Sequence, residues 1–139
     1  MKKLTSTRIN PTLINIGILV LRVVAAGFML THGWPKLNKL LAGGEIRFGD
    51  PIGIGPTASL ILAIFAEFLC SILVGLGIYT RLSTIPLMVT MSVAAFISHV
   101  NDPFGRKELA LVYLLIFVFI FISGGGKYSV DSLISRKAK

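Results

Sequence analysis

The sequence predicts an all-α integral membrane protein: one domain forming a bundle of four transmembrane helices in up-and-down order. Hydrophobic residues make up 54% of the 139-residue chain and charged residues only 14%, against roughly 25% charged in soluble domains. The apolar residues come in long runs, which a soluble fold of this size could not bury. Many Lys and Arg residues lie at the two chain ends, beside apolar segments. Lipid is therefore the expected solvent.

The apolar runs place the four helices at residues 12–34, 56–79, 83–100 and 108–123, near the roughly 20 residues that a span needs. Pro35 is expected to follow the first helix and open a polar loop. Pro56 suits the first turn of the second helix, and Ser83 is expected to cap the third. The third and fourth helices are short, so re-entrant hairpins remain an alternative for that half.

The distribution of cations predicts that both termini are cytoplasmic. In that orientation eight Lys and Arg residues lie inside and five outside, with Arg22 between them, as the positive-inside rule favours. The net charge of +8 does not indicate nucleic-acid binding, because the terminal cations would meet anionic lipid headgroups.

Two ionisable residues, Arg22 and Glu67, lie deepest in the predicted helices. Each costs about 2.5–3.5 kcal/mol on insertion scales, so each needs a partner or a cavity. They lie at similar distances from opposite helix ends, which predicts an ion pair near the bilayer midplane. That pair would serve either helix docking alone or the handling of protons or a ligand.

A second polar group is expected at the outer mouth of the bundle, forming an outward-opening pocket. His32 and Lys36 share one face of the first helix, and His99 reaches the same level from the third. The candidate catalytic residues are Glu67, His32 and His99, and the candidate ligand-binding residues are Arg22, Lys36, Asp102, Glu108 and Tyr113. Anchoring of helix ends at the membrane interface is the alternative.

Neither a structural metal site nor thiol chemistry is predicted. The two histidines and a carboxylate could bind a metal, but no tight ligand spacing supports this. Cys70 is the single cysteine, so no intramolecular disulfide can form.

Several motifs, in order and spacing, resemble DoxX-type membrane proteins. They are Arg22, Thr31-His32-Gly33-Trp34-Pro35-Lys36-Leu37, Gly49-Asp50-Pro51-Ile52-Gly53, Ala66-Glu67, Gly75-Leu76-Gly77-Ile78-Tyr79-Thr80-Arg81-Leu82, His99, Asp102-Pro103-Phe104, Glu108-Leu109-Ala110-Leu111 and Gly125-Gly126-Lys127-Tyr128-Ser129-Val130-Asp131. The resemblance covers residues 16–134.

The resemblance implies a multi-pass protein of a bacterial cytoplasmic membrane, associated with a redox system. The related DoxD-like branch contains a subunit of a thiosulfate:quinone oxidoreductase. A quinone or small oxidant is therefore the expected ligand, and a redox protein and a second copy of the chain are candidate partners. A non-catalytic anchor or assembly subunit is the alternative, followed by a small-molecule transporter.

Reporter fusions test the predicted topology. Fusions after residue 139 and within residues 80–83 should report the cytoplasm, and one near Gly44 should report the outside, because cations favour the cytoplasmic face. An exported C-terminal fusion would contradict the four-helix prediction.

Overall fold

The structure is a computed structural model that describes residues 8–137, and this part of the chain contains helices and no β-strand. The helices are α1 (Pro11–Leu41), α2 (Pro56–Leu76), α3 (Thr80–Ser98), α4 (Phe104–Ser123) and α5 (Val130–Lys137). A π-helical stretch occupies Phe65–Cys70 within α2, and another occupies Ala94–Ser98 within α3. The predicted all-α class is confirmed.

Three helices, α1, α2 and α3, are long and apolar enough to cross a membrane. Helix α4 has 20 residues, but Arg106, Lys107 and Glu108 lie near its beginning. The number of spans and the side on which the termini lie therefore stay predictions.

Helix α1 continues through Pro35 and ends at Leu41, which corrects the predicted end at residue 34. Proline lacks an N–H, so the carbonyl of Thr31 loses its usual donor in the next turn. Membrane helices tolerate this loss because neighbouring groups satisfy the freed backbone. Because the helix is longer, Lys36 belongs to α1 and can contact α2.

The start of α3 also differs from the prediction, because its cap comes from a distant residue. Asp131 accepts hydrogen bonds from the backbone N–H of Tyr79 at 2.7 Å, the N–H of Thr80 at 2.8 Å and the Thr80 hydroxyl at 2.7 Å. The helix therefore begins at Thr80, while the Ser83 hydroxyl donates to the Ile78 carbonyl. Tyr79 takes a left-handed conformation with φ of 44°. The hydrogen bond from its N–H to Asp131 stabilises this conformation.

The four long helices share one apolar core, and α1 and α2 approach each other closely at glycine. A Cβ atom at Gly33 would lie 2.7 Å from the carbonyl carbon of Glu67, and one at Gly75 would lie 3.2 Å from the Ala26 Cβ. Small residues permit such close approach between membrane helices. The core consists of Ala25, Met29, Cys70, Val74, Leu87, Met91, Ala95, Ala110, Tyr113, Phe117 and Ile120.

Replacing the capping carboxylate, Asp131→Asn, should lower the free energy of unfolding by about 1–3 kcal/mol, because hydrogen bonds to a charged group are lost. Burial raises the pKa of Asp131, but the hydrogen bonds from Thr80 and Tyr79 and the charge of Arg22 hold it below its ordinary value.

A lowered folded-state pKa stabilises the protein above the unfolded pKa of about 3.9, and this contribution is lost as the pH falls through the folded pKa. Thermal unfolding in detergent between about pH 7 and pH 3 checks this. The difference between wild type and Asp131→Asn should shrink at the acid end. A constant difference would contradict the assignment.

Candidate functional site

The structure separates Arg22 from Glu67, so the predicted ion pair between them is wrong. The Arg22 guanidinium donates hydrogen bonds to the carbonyl of Gly125 at 2.7 Å and to that of Tyr128 at 2.8 Å. Its side chain is almost fully buried, against Gly77 at the end of α2. Glu67 instead lies beside Gly33.

The register of α1 against α2 explains the error. Gly33 lies opposite Glu67, and Ala26 opposite Gly75. At about 1.5 Å per residue, Arg22 and Gly33 are separated by roughly 16 Å along α1. The prediction placed the middle of the first helix at Arg22, whereas α1 extends to Leu41. The extension moves Lys36 into the helical region that faces α2.

Glu67 forms its ion pair with Lys36. The Lys36 ammonium donates to Oε2 of Glu67, and the side chains are 25% and 5% exposed, respectively. Glu67 therefore has a neutralising partner within the apolar bundle, as a buried carboxylate requires. Lys36 retains partial access to the surface, so the pair lies at the edge of the core rather than in its centre.

Two cavities adjoin this ion pair and share Lys36, Glu67, Ala94 and His99 among their lining residues. The smaller, here called the polar recess, measures about 220 Å³ and is also lined by Met29, His32, Met91, Arg106, Leu109, Ala110 and Tyr113. The larger, the apolar cleft, measures about 500 Å³, and its other lining residues include Phe48, Ile52, Ser59, Leu62, Ala63, Val89, Thr90 and Val93. A polar end and an apolar end suit an amphipathic small molecule.

Five residues singled out from the sequence line the polar recess: His32, Lys36, Glu67, His99 and Tyr113. They come from α1, α2 and α4 and from the residue that directly follows α3. The His32 ring meets the Tyr113 ring edge-on, with 6.2 Å between centroids and 84° between planes. Tyr113 is 7% exposed and stacks on Phe117. Their role in binding or catalysis stays a prediction.

Asp102 acts on the recess through His99. Nδ1 of His99 lies 2.7 Å from Oδ2 of Asp102, and Nη1 of Arg106 lies 3.7 Å from the same oxygen. The hydrogen bond from His99, followed by the charge of Arg106, lowers the pKa of Asp102. This hydrogen bond orients the imidazole and favours the tautomer that carries its proton on Nδ1 and has an unprotonated Nε2. Asp102 is thus a positioning residue for a ring that lines both cavities.

Glu108 and Arg22 lie outside the two cavities. Glu108 is exposed on α4. Arg22 lies in the N-terminal half of α1, where it bonds the Gly125 carbonyl. Within residues 8–137, no three His, Cys, Asp or Glu residues lie close enough together to hold a metal ion. Asp50, between α1 and α2, accepts hydrogen bonds from the backbone N–H groups of Ile54 and Gly55 at 2.9 and 2.8 Å.

Both π-helical stretches border the cavities. One contains Glu67, and the other begins at Ala94 and ends just before His99. A π turn has a wider hydrogen-bonding loop than an α turn and often occurs at functional sites. These turns were not foreseen, because π turns depend on packing and have no simple residue pattern.

The arrangement can hold a polar head group beside groups that donate and accept protons. Lys36 is a hydrogen-bond donor, Glu67 is an acceptor, and the His99 imidazole, held by Asp102, has one ring nitrogen that donates and one that accepts. The Tyr113 hydroxyl adds a neutral donor. These groups can bind a carbonyl-bearing molecule and exchange protons with it.

The sequence profile described as DoxX matches residues 17–100. An uncharacterised protein of Haemophilus influenzae is 33% identical over 127 residues, which cover 84% of this chain and 90% of that protein. The inner membrane protein YqjF of Escherichia coli is 28% identical over 127 residues, covering 88% and 95% of the two chains. An uncharacterised membrane protein of Mycobacterium tuberculosis is 27% identical over 139 residues, covering 87% and 83%. No solved structure matches the chain significantly.

The Lys36–Glu67 contact predicts an asymmetric pair of mutational effects. Lys36→Met leaves a buried carboxylate unpaired and should destabilise the protein by about 3–5 kcal/mol. Glu67→Gln should cost less, because the partly exposed Lys36 can turn toward water. The double variant should recover part of the loss, as measured by unfolding in detergent.

A matched control is the Arg47–Glu45 pair, whose side chains are 85% and 77% exposed. Arg47→Met and Glu45→Gln should each change stability by less than about 1 kcal/mol. Simple additivity of the Lys36 and Glu67 effects would show that these residues are not in contact.

Proposed function

Because the chain belongs to the DoxX family and is a multi-pass protein of a bacterial inner membrane, we propose that it serves a membrane redox system by binding a quinone. The head group would occupy the polar recess, and the apolar tail would lie in the cleft. The observation that carries this proposal is the convergence of His32, Lys36, Glu67, His99 and Tyr113 on one recess that adjoins a larger apolar cleft.

The dimensions and lining of the two cavities support a ligand of this class. Small-molecule sites measure about 300–1,000 Å³ and combine an apolar wall with a few polar groups. The apolar cleft, at about 500 Å³, falls in this range. A quinone carries two carbonyl oxygens on an apolar ring, so it needs few donors and a large apolar contact.

The rim of the cleft supports entry from the lipid as well as from the outer surface. Leu62 on α2 and Val89 on α3 line the cleft, yet they are 52% and 57% exposed. Both helices are long and apolar enough to cross a membrane. A lipid-soluble ligand dissolved in the bilayer could therefore reach the cleft between them, without passing through water.

The chemistry assigned to the chain's own groups is proton handling. Reduction of a quinone to the hydroquinone consumes two electrons and two protons, and the electrons would come from a redox partner protein. Lys36 would donate a hydrogen bond to a carbonyl oxygen. The Glu67 carboxylate and Nε2 of His99 would each take a proton from water and pass it to the reduced quinone. Asp102 would hold His99 in position for this transfer.

Trp34 offers a direct test, because it is the chain's single tryptophan and lies on α1 between His32 and Lys36. A short-chain quinone added to the purified protein should quench its fluorescence saturably. The variants His99→Phe and Tyr113→Phe should each weaken binding roughly five- to tenfold through loss of a hydrogen bond. The control Glu108→Gln, at an exposed residue outside both cavities, should bind like wild type.

Linear quenching that is equal in His99→Phe and in the control would contradict the proposal, since it would reflect only quinone dissolved in detergent. Organic extraction of freshly purified protein gives a second readout. It should yield quinone from wild type and much less from the two cavity variants.

A non-catalytic anchor or assembly subunit is the second candidate, favoured by the position of the Lys36–Glu67 pair beside the close contact at Gly33. In that case the pair serves helix packing alone. A double variant, Lys36→Met with Glu67→Gln, separates the two functions. A folded double variant that still assembles with its partner would support the anchor, and one that folds but loses quinone would support the binding site.

A further inference from the structure

The end of the molecule where Arg22 is buried carries a groove of about 410 Å³, formed where α5 and the segment before it meet the end of α2. We call it the basic groove. Its lining residues are Leu76, Lys127, Tyr128, Ser129, Val130, Leu133 and Arg136. None of these residues takes part in the proposed quinone site, which lies around Lys36 and Glu67.

The basic groove combines exposed apolar side chains with cations. Leu76 and Leu133 are 55% and 57% exposed, and Tyr128 is 42% exposed. Lys127 lies over the Tyr128 ring, with Nζ 5.8 Å from the centroid, and Arg136 is exposed in the last turn of α5. No residue described as lining the groove is acidic. This combination of positive charge and exposed apolar surface therefore favours a ligand in which an anionic group is attached to an apolar chain.

The groove is held in place by the buried Arg22. Its guanidinium binds the carbonyls of Gly125 and Tyr128, which flank Lys127. The Lys127 N–H donates to Asn15 Oδ1 at 2.8 Å, and the Asp131 N–H donates to the Gly77 carbonyl at 2.9 Å. A preorganised site loses less entropy on binding than a mobile tail does.

The carboxylate of Asp131 does not compete for the cations of the groove. It accepts hydrogen bonds from Tyr79 and Thr80, on the side of α5 that faces the start of α3. Lys127 and Arg136 thus remain available to an external anion.

From this geometry we propose that the basic groove binds one anionic phospholipid of the surrounding leaflet. The phosphate lies between Lys127 and Arg136, and an acyl chain lies along Leu76 and Leu133. Helix α5, with Leu133 and Ile134 exposed on one side and Arg136 and Lys137 in its last turn, rests in the membrane interface like other short amphipathic helices. The lipid covers apolar surface that the protein itself leaves bare.

Native mass spectrometry of the purified full-length chain tests this, with added phosphatidylglycerol or phosphatidylcholine. The wild type should retain phosphatidylglycerol preferentially. The variant Lys127→Gln/Arg136→Gln should retain it about tenfold less, because each cation near an anionic lipid contributes a few-fold in affinity. The Lys127 and Arg136 side chains are both exposed, so the variant should have the melting temperature of wild type before lipid is added.

The matched control is Lys39→Gln/Arg47→Gln, which also removes two exposed positive charges but none from the groove or from α5. It should bind phosphatidylglycerol like wild type. Equal loss in both variants, or equal retention of both lipids by wild type, would overturn the proposal. Displacement of phosphatidylglycerol by inorganic phosphate at similar concentration would also overturn it, since the apolar contacts would then contribute nothing.

Discussion

Arg22 carries a charge that has almost no contact with solvent, and the rest of the structure is arranged around the carbonyl oxygens that accept its hydrogen bonds. A buried guanidinium without partners would cost several kcal/mol. Gly125 and Tyr128 supply these partners from a segment more than a hundred residues away. Gly77 lacks the Cβ that would collide with the guanidinium. Arg22 therefore determines how α1, the end of α2 and the C-terminal segment meet.

The alignment of α1 with α2 that this contact requires also creates the ion pair at the other end. With Arg22 beside Gly77, Gly33 lies against Glu67. Lys36 follows Gly33 by about one helical turn. The close approach at Gly33 brings the Lys36 ammonium to the Glu67 carboxylate. Lys36 thus neutralises the Glu67 carboxylate, whereas the Arg22 guanidinium keeps its charge and is stabilised by hydrogen bonds to two carbonyl oxygens.

The two ends of the bundle consequently offer different chemistry. Around Glu67, polar groups from α1, α2, α4 and the residue that follows α3 line a recess, and π turns in α2 and α3 border it. At the end of the bundle near Arg22, the Arg22 and Asp131 side chains form hydrogen bonds with other groups of the protein. The outer surface there combines cations with exposed apolar residues. The first arrangement suits a small ligand within the bundle, whereas the second suits the lipid outside it.

Local patterns in the chain predicted the helical class, the approximate positions of the apolar segments, and the shared face of His32 and Lys36 on α1. These follow from composition and from the 3.6-residue period, which are local properties of the chain. Five of the candidate residues, His32, Lys36, Glu67, His99 and Tyr113, line the recess, because polar side chains are rare within apolar runs and are readily noticed there.

The packing of the helices determines which of these residues become partners. The Lys36–Glu67 pair depends on the axial register of two helices, which is set by a glycine contact and by the continuation of α1 through Pro35. The Asp131 cap on α3 joins residues about fifty positions apart, so no local pattern near Ser83 could reveal it. Periodicity specifies the face on which a residue lies, but the depth at which it meets another helix depends on the packing of both helices.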